Sequence, residues 1–362
     1  MDIKKIFRRI LKLFTFFALL YLFLLSIKLI GGSFKLMGKG FAETLIKTTS
    51  NPFAGLFIGI LTTSIVQSSS MTTSLVVGLV ATGVMPIYIA IPIVIGANIG
   101  TTITNIIVSL GHIRNSIEFE RAFSASIVHD FFNFLNVLIL FPLQYFFNFL
   151  GILATGTANL FQNVGGLKVF NPLSTILNPT SKLILHTIEQ TPWLGVILSL
   201  ALLFFSLRYI VLFMKKIVIR KIEIYFNKYL FKTTLRALLL GLIFTVLVQS
   251  SSITTSLAVP LAGAGILTIE KIFPYTLGAN IGTTITALLA ALATGEISAI
   301  TVAFCHLFFN IIGTAIFLPL RKIPISMAKF FSKISMRNKL LPILYIIIAF
   351  FLIPFILILL VE

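Results

Sequence analysis

Charge is what this chain has least of. Asp, Glu, Lys and Arg make up 10% of its 362 residues, where a soluble domain carries roughly a quarter. The shortage is one-sided, with 10 acidic residues against 28 basic ones and a formal net charge of +18. Between Lys47 and Arg114, and again between Arg236 and Glu270, none of the four occurs. That excludes a water-soluble domain. Cysteine is nearly absent too, so no intrachain disulfide can form, and Cys305 reads as a small apolar residue within a span. The basic excess does not point to nucleic acid, because no surface of interleaved aromatic and basic residues lies outside the apolar runs.

What the chain has instead is length without charge. Apolar runs such as Phe14–Leu25, Phe131–Leu143, Trp193–Leu207 and Leu340–Val361 recur throughout. A bilayer core about 30 Å thick needs about 20 helical residues. The expected fold class is an all-α polytopic integral membrane protein. Basic residues cluster at Lys4–Lys12, Arg208–Arg236 and Arg321–Lys339, and short basic connectors stay inside. This places the N-terminus in the cytoplasm of a multi-pass protein of the plasma (cell inner) membrane. No small-residue cleavage site follows Leu25, so the first span is read as uncleaved. Lys35, Lys39 and Lys47 then fall outside, which an interfacial amphipathic helix would accommodate.

The chain is written twice. "TTSIVQSSSMTTSL" at Thr62–Leu75 returns as "FTVLVQSSSITTSL" at Phe244–Leu257, and "GANIGTTIT" begins at Gly96 and again at Gly278, both with an offset of 182. "VHDFFN" ending at Asn133 matches "CHLFFN" ending at Asn310, with an offset of 177. One crossing at Trp193–Phe213 separates the copies, so the second enters from the opposite face. That is the inverted-repeat pattern, with a site at the repeat interface near midplane. The expected division is an N-terminal span and interfacial segment (1–50), repeat 1 (51–150), an external loop (151–192), a crossing helix and basic cytoplasmic connector (193–234), repeat 2 (235–320), and a basic cytoplasmic connector with the final span (321–362). No appended soluble domain is expected.

Pro52–Val66 has 15 residues and Met71–Val84 has 14, too few to cross. The Gln-Ser-Ser-Ser block is therefore read as an irregular break in a re-entrant hairpin, tolerated at depth only if buried in protein or lining a wet cavity. A helix starting near Met71 would aim free N–H groups and its positive dipole end at that cavity. The alternative is hydroxyls that hydrogen-bond one continuous helix to its neighbours. "GANIGTTIT" is read as a second break, leaving oxygens of Asn98, Thr101, Thr102 and Thr104, and of Asn280 in the second copy, at the gap; the alternative is G-x-x-x-G packing. With no fixed charge, such a site offers hydroxyls, amides and backbone N–H groups, which match a phosphate-like oxyanion. An anion desolvated there calls for a companion cation, and sodium suits neutral oxygens.

Asp130 sits in an apolar run, and an intramembrane carboxylate is functional by default. It is a candidate for a further cation, with Asn133 and Asn310 assisting; the alternative is a structural pair with His129 or Arg121. Its counterpart in the second half is Leu307, so this site is one-sided. His129 and His306 read as hydrogen-bonding groups between helices.

Together these motifs resemble the type II sodium–phosphate cotransporter family, over roughly Asn51–Pro142 and Arg236–Leu360. The resemblance implies inverted repeats with re-entrant hairpins, and a symporter driven by sodium that imports inorganic phosphate. It implies phosphate ligands at Gln67, Ser68, Ser69, Ser70, Ser250, Ser251 and Ser252, beside Asn98 and Asn280. Sodium ligands are implied at Gln249, Ser250, Thr283 and Thr286, beside Thr101, Thr104, Asp130, Asn133 and Asn310. Where animal members carry A-x-A-x-x-x-D, this chain reads Ser124, Ser126, Asp130, keeping the aspartate that accompanies an additional sodium. Expected partners are phosphate, sodium and the bilayer, with no cofactor, nucleic acid or enzymatic activity. Competing readings are a passive ion pore, a sodium-coupled carrier of another oxyanion, and an intramembrane hydrolase using one of the serines.

Overall fold

Backbone polar groups find no water in hydrocarbon, so an apolar chain must satisfy them within its own helices. In the computed structural model, which describes residues 3–37, 51–163, 166–225 and 233–361, every regular element is helical. In chain order these are α1 (Ile3–Leu36), α2 (Pro52–Val66), α3 (Ser69–Ala81), α4 (Ile87–Gly100), α5 (Ile103–Leu110), α6 (Ser116–Phe147), α7 (Phe149–Asn163), α8 (Gly166–Thr187) and α9 (Pro192–Tyr225). The second half holds α10 (Thr234–Val248), α11 (Ser251–Ser256), α12 (Ala258–Gly263), α13 (Ile269–Thr294), α14 (Ile297–Phe317) and α15 (Lys322–Arg337). A final span comprises α16 (Leu341–Ile347), a π-helical turn at Ile348–Leu352, and α17 (Ile353–Val361). Among the described residues, 7 helical stretches are long and apolar enough to cross a membrane, with α4 and α5 counted as one at Ile87–Leu110. The chain is a multi-pass membrane protein.

The hairpin arms are short for local reasons. Asn51 caps α2 by accepting from Phe53 N at 2.9 Å, and Pro52 follows at the first helical position. At the other end Gln67 adopts φ 55°, ψ 29°, which turns the chain out of the helix. Its 15 residues span about 22 Å at 1.5 Å each, less than a bilayer core. In the second half Gln249 (φ 59°, ψ 25°) ends the 15-residue α10 in the same way. The outgoing arms differ. Gly78 leaves α3 unbroken, while Pro260, at the matching position, lacks an N–H for the Ser256 carbonyl, and the helix is interrupted at Leu257.

Glycines hold each hairpin against its own repeat. A Cβ on Gly96 would overlap the Leu56 carbonyl, and one on Gly278 would overlap that of Leu238. A Cβ on Gly59 would meet the Ile93 carbonyl, and one on Gly241 that of Tyr275. Each contact recurs at the 182-residue offset. Thus α2 lies on α4 and α10 on α13 at backbone distance. The outgoing arms cross over: α3 packs on α13 of the second half, and α11 and α12 pack on α5 and α6 of the first.

Two readings change. "GANIGTTIT" is not a break: Gly278–Thr286 runs inside α13, and in the first copy only a right-handed turn at Thr101–Thr102 separates α4 from α5. Thr101, Thr102, Thr283 and Thr284 donate to carbonyls three or four residues back, and its glycines serve packing. Residues 151–192, expected as a loop, are helical over most of their length. Here α8 is tied to α1, with Tyr21 Oη donating to Thr180 Oγ1 at 2.6 Å and Lys28 Nζ to Asn178 Oδ1 at 2.5 Å. The interfacial segment expected around Lys39 and Lys47, part of the basic connector (226–232) and Glu362 lie outside the described residues.

Replacing Gly278 with Ala should destabilise the detergent-solubilised protein by about 1–3 kcal/mol through overpacking, read as a lower unfolding midpoint. The same change at Gly156, where a Cβ meets nothing within 4 Å, should leave the midpoint unchanged or raise it. Equal behaviour of the two variants would contradict the close-approach account.

Candidate functional site

Each hairpin break is built by three residues in succession. Gln67 turns into the left-handed region, Ser68 accepts from Met71 N at 3.3 Å through its hydroxyl, and α3 begins at Ser69. Gln249, Ser250 and Ile253 N repeat this, again at 3.3 Å, with α11 beginning at Ser251. A helix offers no internal acceptor to its first N–H groups, so those of Ser69 and Ser70, and of Ser251 and Ser252, stay available. All four serine side chains are buried. Neither hairpin contains a charged side chain from Asn51 to Ala81 or from Ala237 to Gly263.

The two halves use their matching groups differently. In the first, Thr63 Oγ1 donates to Thr72 Oγ1 at 2.9 Å and stitches the arms together, while Gln67 is exposed and the buried Thr104 hydroxyl has no partner among the described residues. In the second, Thr245, the counterpart of Thr63, has the hydroxyl without a partner among the described residues. There Thr286, the counterpart of Thr104, donates to Gln249 Oε1 at 2.7 Å. Each bond is made in one half and open in the other.

Behind the breaks, a reciprocal clasp joins the halves. His129 Nε2 donates to Asn280 Oδ1 at 2.6 Å, and Asn280 Nδ2 donates to Asn133 Oδ1 at 2.7 Å. In mirror fashion His306 Nε2 donates to Asn98 Oδ1 at 3.2 Å, and Asn310 Nδ2 donates to the same oxygen at 3.3 Å. Asn133 Nδ2 also donates to the Asn98 carbonyl at 3.0 Å, which links the two clasps. All six side chains are buried. Each half therefore grips the asparagine of the other's G-A-N motif with its own histidine and asparagine.

Of the sequence candidates, Ser68–Ser70 and Ser250–Ser252 lie at the breaks, and Gln249 and Thr286 meet. Thr101 and Thr283 donate to the carbonyls of Ala97 and Ala279, both at 3.0 Å. Asn98, Asn280, Asn133 and Asn310 are engaged in the clasp. Asp130 pairs with neither His129 nor Arg121. Thr102 Oγ1 donates to its Oδ1 at 2.8 Å, and the Tyr345 hydroxyl of the final span donates to its Oδ2. Two residues escaped sequence reading. One is Tyr345. The other is Asn105, whose Nδ2 donates to Thr255 Oγ1 at 2.8 Å, whose Oδ1 accepts from Ser256 at 2.9 Å, and which lies 3.2 Å from His129 Nδ1. Asn105 thus connects the second hairpin to the clasp. Its only sequence signal was helical spacing from Thr101 and Thr102.

Residues 22–168 and 202–335 match the family described as Na+/Pi-cotransporter. Sodium-dependent phosphate transport protein 2A of Ovis aries is 33% identical over 427 residues, covering 95% of this chain and 67% of the relative. Sodium-dependent phosphate transport protein 2B of Homo sapiens is 33% identical over 447 residues, covering 96% and 65%. The chain spans about two thirds of the length of the curated relatives it matches. No solved structure matches the chain.

A double-mutant cycle tests the crosswise clasp. Removing His129 and Asn280 together, each to Ala, should show a coupling energy of about 0.5–3 kcal/mol in unfolding. His129 with Thr301, a buried threonine that donates to the Ile297 carbonyl of its own helix, should be additive. Additivity in both cycles would contradict the clasp.

Proposed function

The chain belongs to the Na+/Pi-cotransporter family, and on that premise we propose that it imports inorganic phosphate together with sodium by alternating access, with both Gln-Ser-Ser-Ser breaks lining the shared site. The observation that carries the reading is the pair of left-handed glutamines, each followed by a capping serine and a buried helix start without charge. Left-handed backbone costs a residue with a Cβ roughly 1–2 kcal/mol, and strain of this kind marks functional sites. Glycine would serve the turn at less cost. Glutamine there supplies an amide as well.

Phosphate takes hydrogen bonds from the serine hydroxyls and the free N–H groups of Ser69, Ser70, Ser251 and Ser252. Burying it costs several kcal/mol of hydration, and no Lys or Arg in the hairpins offsets that. Sodium does so, held by the neutral oxygens of Gln249, Ser250 and Thr286, with Thr283, Thr101 and Thr104 close in sequence to that set. Asp130, whose partners are two neutral hydroxyls, takes a further sodium. The Thr63–Thr72 and Gln249–Thr286 bonds, each made in one half only, support alternation: exchanging them between inverted halves converts one facing state into the other. The reading puts the N-terminus in the cytoplasm of the plasma membrane and keeps the clasp as the fixed frame of each half.

Proteoliposomes should accumulate radiolabelled phosphate with an inward sodium gradient and not with potassium or a proton gradient; equal downhill flux without sodium would identify a pore instead. Gln67→Gly should raise the unfolding midpoint by relieving backbone strain while lowering uptake, and unchanged uptake would remove Gln67 from the site. Asp130→Gly should reduce the charge moved per phosphate, and unaltered currents with intact uptake would assign Asp130 to structure.

A further inference from the structure

A cleft of about 490 Å³ runs along one stripe of α6, walled by α2 and the final span. The α6 side of this wall includes Asp130, Phe134, Leu138, Phe141 and Phe146. That is a stretch of 17 helical residues, which rises about 24 Å at 1.5 Å per residue. Asp130 closes one end, and every other lining residue is apolar or aromatic. Phe134, Leu138 and Phe146 are 50%, 61% and 72% exposed on a membrane-spanning helix, so the cleft opens sideways toward lipid. Its volume falls within the roughly 300–1,000 Å³ of small-molecule sites. The π-helical turn at Ile348–Leu352 borders it through Ala349, and such turns recur at functional sites.

The floor of the cleft is what selects an occupant. Asp130 is 2% exposed and receives one hydrogen bond from Thr102 and one from Tyr345, both neutral donors. Among the described residues it forms no ion pair. A carboxylate has room for about four hydrogen bonds, so about two acceptor positions and the charge remain to be met among the described residues. An acyl chain alone would fill the cleft and leave that charge standing. A fatty acid would add a second negative charge. An ammonium group brings N–H donors and a positive charge, and the aromatic wall also favours a cation.

We propose that this cleft binds a membrane-dissolved long-chain ammonium ion, its headgroup on the Asp130 carboxylate and its chain along the aromatic stripe of α6. The site stands on the cleft and the unpaired carboxylate, whether or not sodium also visits Asp130. If it does, the two cations exclude one another.

The test is thermal unfolding of the full chain in maltoside micelles, in potassium buffer without sodium or phosphate, with dodecylamine or dodecanol added at equal mole fraction. Dodecylamine should raise the midpoint saturably and dodecanol should not. Asp130→Asn should abolish the shift by removing the charge, and Ala349→Phe should abolish it by filling the cleft with Asp130 intact. Equal shifts from amine and alcohol, or an amine shift surviving in either variant, would overturn the proposal. Should Asp130→Asn fail to fold, Ala349→Phe and the amine–alcohol contrast decide. Added sodium that reverses the shift would show competition at Asp130; that arm tests the sodium reading, and its failure leaves the ammonium site intact.

Discussion

The structure turns on a backbone event that occurs twice: a glutamine forced into the left-handed region inside an apolar helical hairpin. It ends one short helix and lets a serine start the next, and it does so where water is scarce. Everything around it keeps that break tolerable. The serine caps satisfy one N–H each, the neighbouring hydroxyls line the gap, and the arms are clamped by glycine contacts so close that a methyl group would not fit between Gly96 and the Leu56 carbonyl, or between Gly278 and that of Leu238. Unsatisfied backbone in hydrocarbon costs several kcal/mol per group, so the breaks persist only as part of this packing.

The second requirement is that two breaks, far apart in sequence, belong to one unit. The clasp meets it. His129 and Asn133 hold Asn280, while His306 and Asn310 hold Asn98. The outgoing hairpin arms cross in the same sense, α3 onto α13 and α11 onto α5. Neither half is complete without the other. The two clasps are unequal, however: bonds of 2.6 and 2.7 Å in one stand against 3.2 and 3.3 Å in the other, where His306 Nδ1 and Asn310 Oδ1 lack partners among the described residues. Matched motifs thus make unequal contacts in the two halves, as they also do at Thr63–Thr72 and Gln249–Thr286.

Much of this was legible in the chain before any coordinates. Helix length, charge-free stretches and a repeated serine triplet placed both breaks within a residue or two, because a 15-residue apolar arm has few ways to end. The "GANIGTTIT" segments were misread for an instructive reason. Gly, Asn and Thr look like helix punctuation in water, but in a bilayer threonine bonds the carbonyl one turn back and glycine admits a neighbouring backbone, so the helix continues. Residues 151–192 misled in a similar way: few charges and several Asn, Pro, Gly and Thr residues suggested an external loop, whereas most of the stretch is helical and α8 is tied to α1. Tyr345 was invisible because a single polar residue in an apolar run has no periodicity, and Asn105 showed only its helical spacing from Thr101 and Thr102; in both cases only the fold names the partners. Asp130 was recognised as costly, but its partners, Thr102 and Tyr345, come from elements that sequence did not connect to it.

The central claim is that an oxyanion sits between two uncharged helix breaks only when a metal cation sits with it. Equilibrium binding of radiolabelled phosphate to the purified protein, in sodium or potassium chloride at equal ionic strength, reads that claim without any transport cycle. The account requires saturable binding in sodium that is lost in potassium, and labelled sodium bound more tightly with phosphate by the same factor, as linkage demands. Phosphate bound equally well in potassium would contradict it.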